Sequence, residues 1–282
     1  MRSFFTCILL AWMAVFSASA KQITLNITKA DQSNDQYQLK LLTEALSRDP
    51  DNQYKFNHAQ TRLNEGQLIN YIQSGEIDVM WGGTNKEYEK IMLPIRIPLF
   101  KGLLGHRIFI IRQGEQHRFS NVRSLSDLAE FKMGQGANWA DTKVLNAAGL
   151  NVVTTTKYHN LFYMLEGGRF DLFPRGVHEP FAEVASRPEL NLTVEEDLLL
   201  VYPLAAYFFV NSNNFKLAQA IENGLLEMIE DGSFDEFFYS NPMISQALKN
   251  AELERRKIFR ISNPNMPAAT PFDDKKLWFK ID

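Results

Sequence analysis

Ile72-Gln73-Ser74-Gly75-Glu76-Ile77-Asp78-Val79 and Leu165-Glu166-Gly167-Gly168-Arg169-Phe170-Asp171-Leu172 are two versions of one phrase, Asp171 lying 93 residues after Asp78. Each reads as the end of a helix, a glycine able to take the left-handed conformation, and an immediate entry into a strand. The first copy runs on through Met80-Trp81 into Gly82-Gly83. Upstream, Ile23, Leu25 and Ile27 alternate with Thr24, Asn26 and Thr28, a strand with one buried face. Leu39, Leu42 and Leu46 fall on one helical face that Asp49-Pro50-Asp51-Asn52 ends, a short strand follows at 54–58, and Leu68, Ile69 and Ile72 mark the helix that leads into Gly75. The order β-α-β-α-β predicts a mainly parallel sheet with helices on its faces.

The second copy sits in a similar unit. Ser124-Leu125-Ser126-Asp127-Leu128 reads as a capped helix, 131–134 as a strand, 140–148 as a helix closed by Gly149, and 152–155 as a strand. After it come a long strand over 204–210 and a helix carrying Leu217, Ile221, Leu225 and Met228 on one face. Two α/β units joined by extended crossovers fit this order better than one continuous sheet.

Composition narrows the function. The 282 residues include 45% hydrophobic and 22% charged side chains, and 30 basic against 33 acidic groups give a net charge of −3. This is globular composition without the basic footprint of a nucleic-acid binder. Residues 1–20 hold one charge, Arg2, an apolar run from Phe4 to Phe16, and Ser17-Ala18-Ser19-Ala20, the pattern of a secretory signal peptide. Cleavage there would leave 262 residues without cysteine, since Cys7, the single one, lies in the leader. The five histidines form no metal-binding spacing, and no GxSxG, phosphate-cradling loop or mature cysteine nucleophile is present, so neither a metal nor a cofactor is expected.

The chain resembles the periplasmic solute-binding proteins of the amino-acid-binding type, the extracellular family 3 of ABC-transporter receptors. The resemblance rests on the signal and first strand, Gly75 to Val79 running into Gly82-Gly83-Thr84, Ser124 to Leu128 ahead of Lys132-Met133-Gly134, Gly168 to Asp171, and the late helix ending Glu230-Asp231-Gly232. It spans residues 21–240. It implies the type II two-lobed binding-protein fold, each lobe a mainly parallel sheet flanked by helices, with a two-strand hinge. Transferred to this sequence, lobe one is 21–111 and 205–282, lobe two is 112–204, and the hinge crossings are 107–112 and 204–207. The implied function is capture of a small molecule in the cleft and its delivery to a membrane permease or sensor by a periplasmic monomer.

In that family an arginine after the first phrase holds the ligand carboxylate and an aspartate after the second holds its ammonium. Counting along this chain puts Lys90, with Arg96 just beyond, at the first place and Gly176, preceded by Arg175, at the second. A cation where the family has an anion implies an acidic or neutral solute rather than an ordinary α-amino acid. Trp81 before Gly82-Gly83, and Asn138-Trp139 in the turn ahead of a helix, are expected at strand ends facing the cleft, where an aromatic wall could hold a flat ligand. The candidate binding set is therefore Trp81, Lys90, Arg96, Asn138, Trp139 and Arg175. Each has a plainer reading as core packing or a solvated charge. The alternative to a binder is a dehydratase-like enzyme on the same scaffold, with Glu179 or Asp141 as a cleft acid. The tail beyond Ser240, dense in proline and ending Leu277-Trp278-Phe279, is expected to pack back on lobe one.

Overall fold

The computed structural model describes residues 20–280, so the signal read over 1–20 lies, apart from Ala20, outside the described residues. The first unit comprises β1 (Lys21–Ile27), α1 (Ser33–Leu46), β2 (Asn52–His58), α2 (Glu65–Ser74), β3 (Val79–Gly83), α3 (Tyr88–Ile91) and β4 (Met92–Ile95). The second holds β5 (His106–Arg112), α4 (Leu125–Ala129), β6 (Lys132–Gly136), α5 (Thr142–Ala147), β7 (Asn151–Thr155), α6 (Tyr158–Glu166), β8 (Phe173–Gly176), α7 (Pro180–Ala185), β9 (Leu192–Val194) and β10 (Leu198–Val201). The chain then returns through β11 (Ala206–Asn211), α8 (Phe215–Glu230), α9 (Ser233–Ser240) and α10 (Pro242–Ala251), and ends with β12 (Lys257–Arg260) and an irregular tail.

The two units are built alike. In the first sheet the order is β2-β1-β3-β11-β4, with β1 parallel to its neighbours and β11 antiparallel to both β3 and β4. In the second unit β6 and β7 pair in parallel, a Met133–Leu172 bridge joins β6 to the chain entering β8, and β8 runs antiparallel to β5. Each unit thus contains three parallel strands, β2-β1-β3 in the first and β7-β6-β8 in the second, flanked by a reversed strand that follows a crossing between the units, β11 and β5.

The duplicated phrase explains why. Gly75 and Gly168 have φ of 80° and 71°, and behind them Glu76 N–H bonds to Tyr71 O and Arg169 N–H to Met164 O, the same helix-ending bond in both. Asp78 then exchanges bonds with the neighbouring first strand, its N–H donating to Asn26 O at 2.8 Å and its carboxylate accepting from Asn26 N at 2.7 Å. Asp171 does the same with Lys132, at 2.8 and 3.0 Å. In each copy the aspartate satisfies a backbone N–H of the neighbouring strand, near the end of β1 at Asn26 and at the start of β6 at Lys132.

Two segments fall across the expected lobe boundaries. The stretch 106–111, read as the end of lobe one, lies in the second sheet, where β5 pairs with β8, β9 and β10. Its apolar run Ile108 to Ile111 is wholly buried, as a strand covered on both faces requires. The crossings come one step earlier: Tyr202 N–H donates to Gly105 O at 3.0 Å, and a methyl on Gly105 would overlap the Tyr202 carbonyl, so only glycine lets the two crossings touch. The second segment is β12, which extends the second sheet in parallel beside β10. The tail therefore does not pack on lobe one alone. Ile244, Ala247 and Ala251 of α10 are buried, with Ile244 and Ala251 in the first lobe's core, β12 joins the second, and Leu277 and Trp278 return to the first. No helix of the described residues is long and apolar enough to cross a membrane.

Candidate functional site

Between the two lobes lies a cleft of about 580 Å³ with walls from both. The β-to-α connections of each lobe open onto it, where the strand ends of a wound sheet present their loops. The two lobes also touch at one flank, where Tyr88 Oη donates to Asn138 O at 2.6 Å and Lys143 pairs with Glu87 at 3.0 Å.

On lobe one the cleft wall is Trp81, the first turns of α1 and α2, and Arg62. Trp81 combines both readings offered for it. Its ring packs edge-on to Phe208 within the core, 6.3 Å between centroids, while the indole N–H reaches the cleft wall and donates to Asp35 Oδ1 at 3.2 Å. Arg62 closes onto Asp35 and onto Asp31, the latter at 2.6 Å. Gln38, 2% exposed, lines the cleft with no partner for Oε1, and Asn34 Oδ1 is likewise unpaired.

On lobe two, Trp139 stands in the turn after β6. A methyl on Gly136 would overlap its indole, so the glycine makes room for the ring. Trp139 stacks on Phe173, 6.2 Å between centroids and 12° between planes, and covers the Arg175 guanidinium at 4.9 Å. Arg175 itself is 6% exposed. Its Nε donates to Glu183 at 2.8 Å, its terminal nitrogen reaches Glu179 at 2.8 Å and Glu183 at 2.6 Å, and Tyr158 Oη donates to the same Glu183 at 2.6 Å. Behind this group Arg107, 3% exposed, pairs with Asp141 at 2.9 Å and Glu179 at 3.6 Å. Burial works against both guanidinium charges, but the facing carboxylates outweigh it and hold both above the usual arginine value.

Four of the six candidate binding residues, Trp81, Asn138, Trp139 and Arg175, line the cleft together. The other two do not. Lys90 is exposed at the surface of α3, and Arg96 is bound to Glu89 at 2.6 Å, outside the cleft. Counting from Asp78 takes no account of α3, whose single turn carries Lys90 outward. Arg175 is in place but is not free for an anion, since two carboxylates already surround it. Arg175 therefore offers an acidic solute no uncommitted charge, and Glu179 and Glu183 place acceptors beside it. Glu179 and Asp141, the acids of the enzyme reading, line the cleft but hold these arginines, and Glu179 also accepts the Gly176 N–H at 2.7 Å.

The sequence reading passed over Glu65 and Gln38. Glu65 is half-buried on the cleft wall at the first turn of α2, beside the Tyr88 hydroxyl. Burial first, and the Asp141 carboxylate second, push it up to about 8. Its signal was present in the capping box formed by Asn64 and Gln67, which fixes the helix start at the end of the connection from β2.

No family model and no curated protein matches the chain. Solved structures do. An ancestral arginine-binding protein bound to arginine superposes with a TM-score of 0.57 at 21% identity, over 77% of this chain and 97% of the other. An amino acid ABC transporter substrate-binding protein from Streptococcus pneumoniae, bound to L-arginine, gives 0.58 at 11% identity over 79% and 94%. A putative L-cystine ABC transporter protein from Listeria monocytogenes gives 0.53 at 18% over 78% and 95%. The chain has the two-lobed type II binding-protein fold that its sequence resembles.

Proposed function

We propose that this protein is an exported solute-binding protein, which closes its lobes on a small polar molecule and presents it to a membrane transporter or sensor. The observation that carries the reading is the interlobe cleft of about 580 Å³, a volume suited to a small ligand, lined from both sides by aromatic rings and buried polar groups. A solute that touches both walls stabilises the closed arrangement by its differential affinity, and a partner can read closed against open. The likeness to proteins solved with arginine or named for cystine supports an amino acid or a molecule of that size, basic or neutral, rather than a dicarboxylate. The leader-like residues 1–20 support export, and the residues we assign to the site are Trp81, Asn138, Trp139 and Arg175 together with Glu65 and Asp141.

The test is a thermal-shift screen of the chain from Lys21 onward against a metabolite panel, followed by calorimetry on the hits. Binding to the folded state raises the melting temperature by mass action, by about 2.7 kcal/mol of stability at a hundredfold excess over Kd. Trp139→Ala is expected to weaken the hit at least tenfold. Turnover of the bound solute would overturn the reading in favour of an enzyme, and an unchanged affinity in Trp139→Ala would remove that wall from the site.

A further inference from the structure

Resting on the solute-binding reading, we propose that the solute carries a cationic group, an ammonium, amidinium or guanidinium, that seats between Glu65 of lobe one and Asp141 of lobe two. Three observations converge on it. The arginines of the cleft are already matched, Arg62 by Asp31 and Asp35, Arg107 by Asp141 and Glu179, Arg175 by Glu179 and Glu183, and the lysine on its lining, Lys157, is exposed at the start of α6 rather than buried beside Glu65 and Asp141. Glu65 has no lysine or arginine partner among the described residues. Asp141, 2% exposed, receives Arg107, the Tyr202 hydroxyl at 2.8 Å and Gln135 Nε2 at 3.4 Å, all on Oδ2. Its Oδ1 takes none of these donors, and it caps no N–H of α5.

A separate group points the same way. Gln38 Oε1 is an acceptor on a side chain 2% exposed, lining the cleft, without a partner. Of the buried lining atoms left unpaired, Gln38 Oε1 and Asn34 Oδ1 are acceptors and Arg107 Nε is the one donor. An unmet buried acceptor carries an uncompensated desolvation cost, which a solute N–H recovers on binding. Among these buried atoms acceptors outnumber donors.

Charge supplies the link to closure. Glu65 and Asp141 belong to different lobes, so once Glu65 ionises their repulsion opposes the closed arrangement until a cation lies between them. The groups facing Glu65 are Asp141 on α5, with Arg107 and Tyr202 attached to it, and Tyr88 on α3. Since burial and Asp141 hold the Glu65 carboxyl up at about 8, the cleft of the free protein is protonated at neutral pH, and the cation displaces that proton. Affinity for a cation therefore rises with pH up to about 8, by at most tenfold per pH unit, and levels off above it.

The probes are L-arginine and agmatine, whose guanidinium charge does not titrate between pH 6.5 and 8.5, with cadaverine and glycine betaine as other cations, against glutarate and glucose as anionic and neutral counterparts. Calorimetry on the chain from Lys21 onward is expected to give a cationic hit that tightens about 20-fold from pH 6.5 to 8.5. In Glu65→Gln that hit weakens at least tenfold and loses its pH dependence, while in Lys90→Ala, outside the cleft, it is unchanged. Free Glu65→Gln is expected to melt higher than the parent at pH 8.5, which shows that the variant folds and that the repulsion was present. Hits confined to glutarate or glucose, or a cation bound equally by Glu65→Gln, would overturn the cation seat and leave the solute-binding reading standing. Silence from every probe and from the wider metabolite panel would take down both.

Discussion

His178 is 1% exposed, has no hydrogen-bond partner on either ring nitrogen, and stacks on Phe100 at 4.1 Å between centroids. Burial, and then the Arg107 and Arg175 charges, push its imidazole down to about 3. The ring works as a flat neutral spacer behind the arginine cluster. The unfolded chain's imidazole takes up a proton below about pH 6.5, whereas the folded one refuses it until about pH 3, so this group's contribution is full above pH 6.5 and declines as pH falls. Urea denaturation is expected to show the parent losing up to about 1.4 kcal/mol per pH unit from this residue between pH 6 and 4. His178→Phe should flatten that slope and be at least as stable at pH 7, because the two unsatisfied nitrogens disappear. An unchanged slope would place the acid sensitivity elsewhere. At this scale the sequence made some residues legible and others not. Trp139 and Arg175 stand at strand or turn ends that local pattern identifies, whereas Glu65 and Gln38 acquire their meaning from side chains on other elements, which spacing along the chain cannot display.

The Gly-x-x-Asp turn illustrates what was readable among elements. Its whole logic is local, a helix end, a left-handed glycine and a strand start, and so both copies were visible in the sequence. The role of the aspartate was not, because its bonding partner lies 52 residues away in one copy and 39 in the other. Asp78→Ala is expected to lose about 1–2 kcal/mol through one orphaned strand N–H. Asp171→Ala should cost more, since that carboxylate also receives Arg118 at 2.8 Å and Arg112 at 3.4 Å. Chemical denaturation of the two variants gives the ranking directly, and the reverse order would refute the equivalence drawn between the turns. Strands β5 and β12 mark the limit of pattern. One reads as a hinge crossing and the other as part of the tail, because which sheet a strand joins is decided by long-range pairing, and β12 meets β10 across 59 residues of chain.

For the molecule as a whole, the contacts that bridge the lobes differ in weight. Lys143 and Glu87 are 62% and 52% exposed, and an ion pair so well solvated adds little, so Lys143→Ala should leave closure nearly unchanged. Tyr88 is 9% exposed, and its hydroxyl bonds directly to the Asn138 carbonyl. Tyr88→Phe is expected to shift the free protein toward the open form and to weaken solute binding by about three- to tenfold, in line with the ~1 kcal/mol of a buried hydrogen bond. Small-angle scattering of the free protein, read as radius of gyration, checks the first effect and calorimetry the second. A larger change from Lys143→Ala than from Tyr88→Phe would reverse this assignment.

The way β12 completes the second sheet bears on any attempt to divide the protein. An excised middle segment covering 106–201 would keep β5 and β8 but present β10 with one whole flank of backbone donors and acceptors uncovered. Such a flank invites a strand from another molecule. Recombinant halves should therefore be fused to the stretch 253–262 through a short loop if they are to remain dispersed in solution.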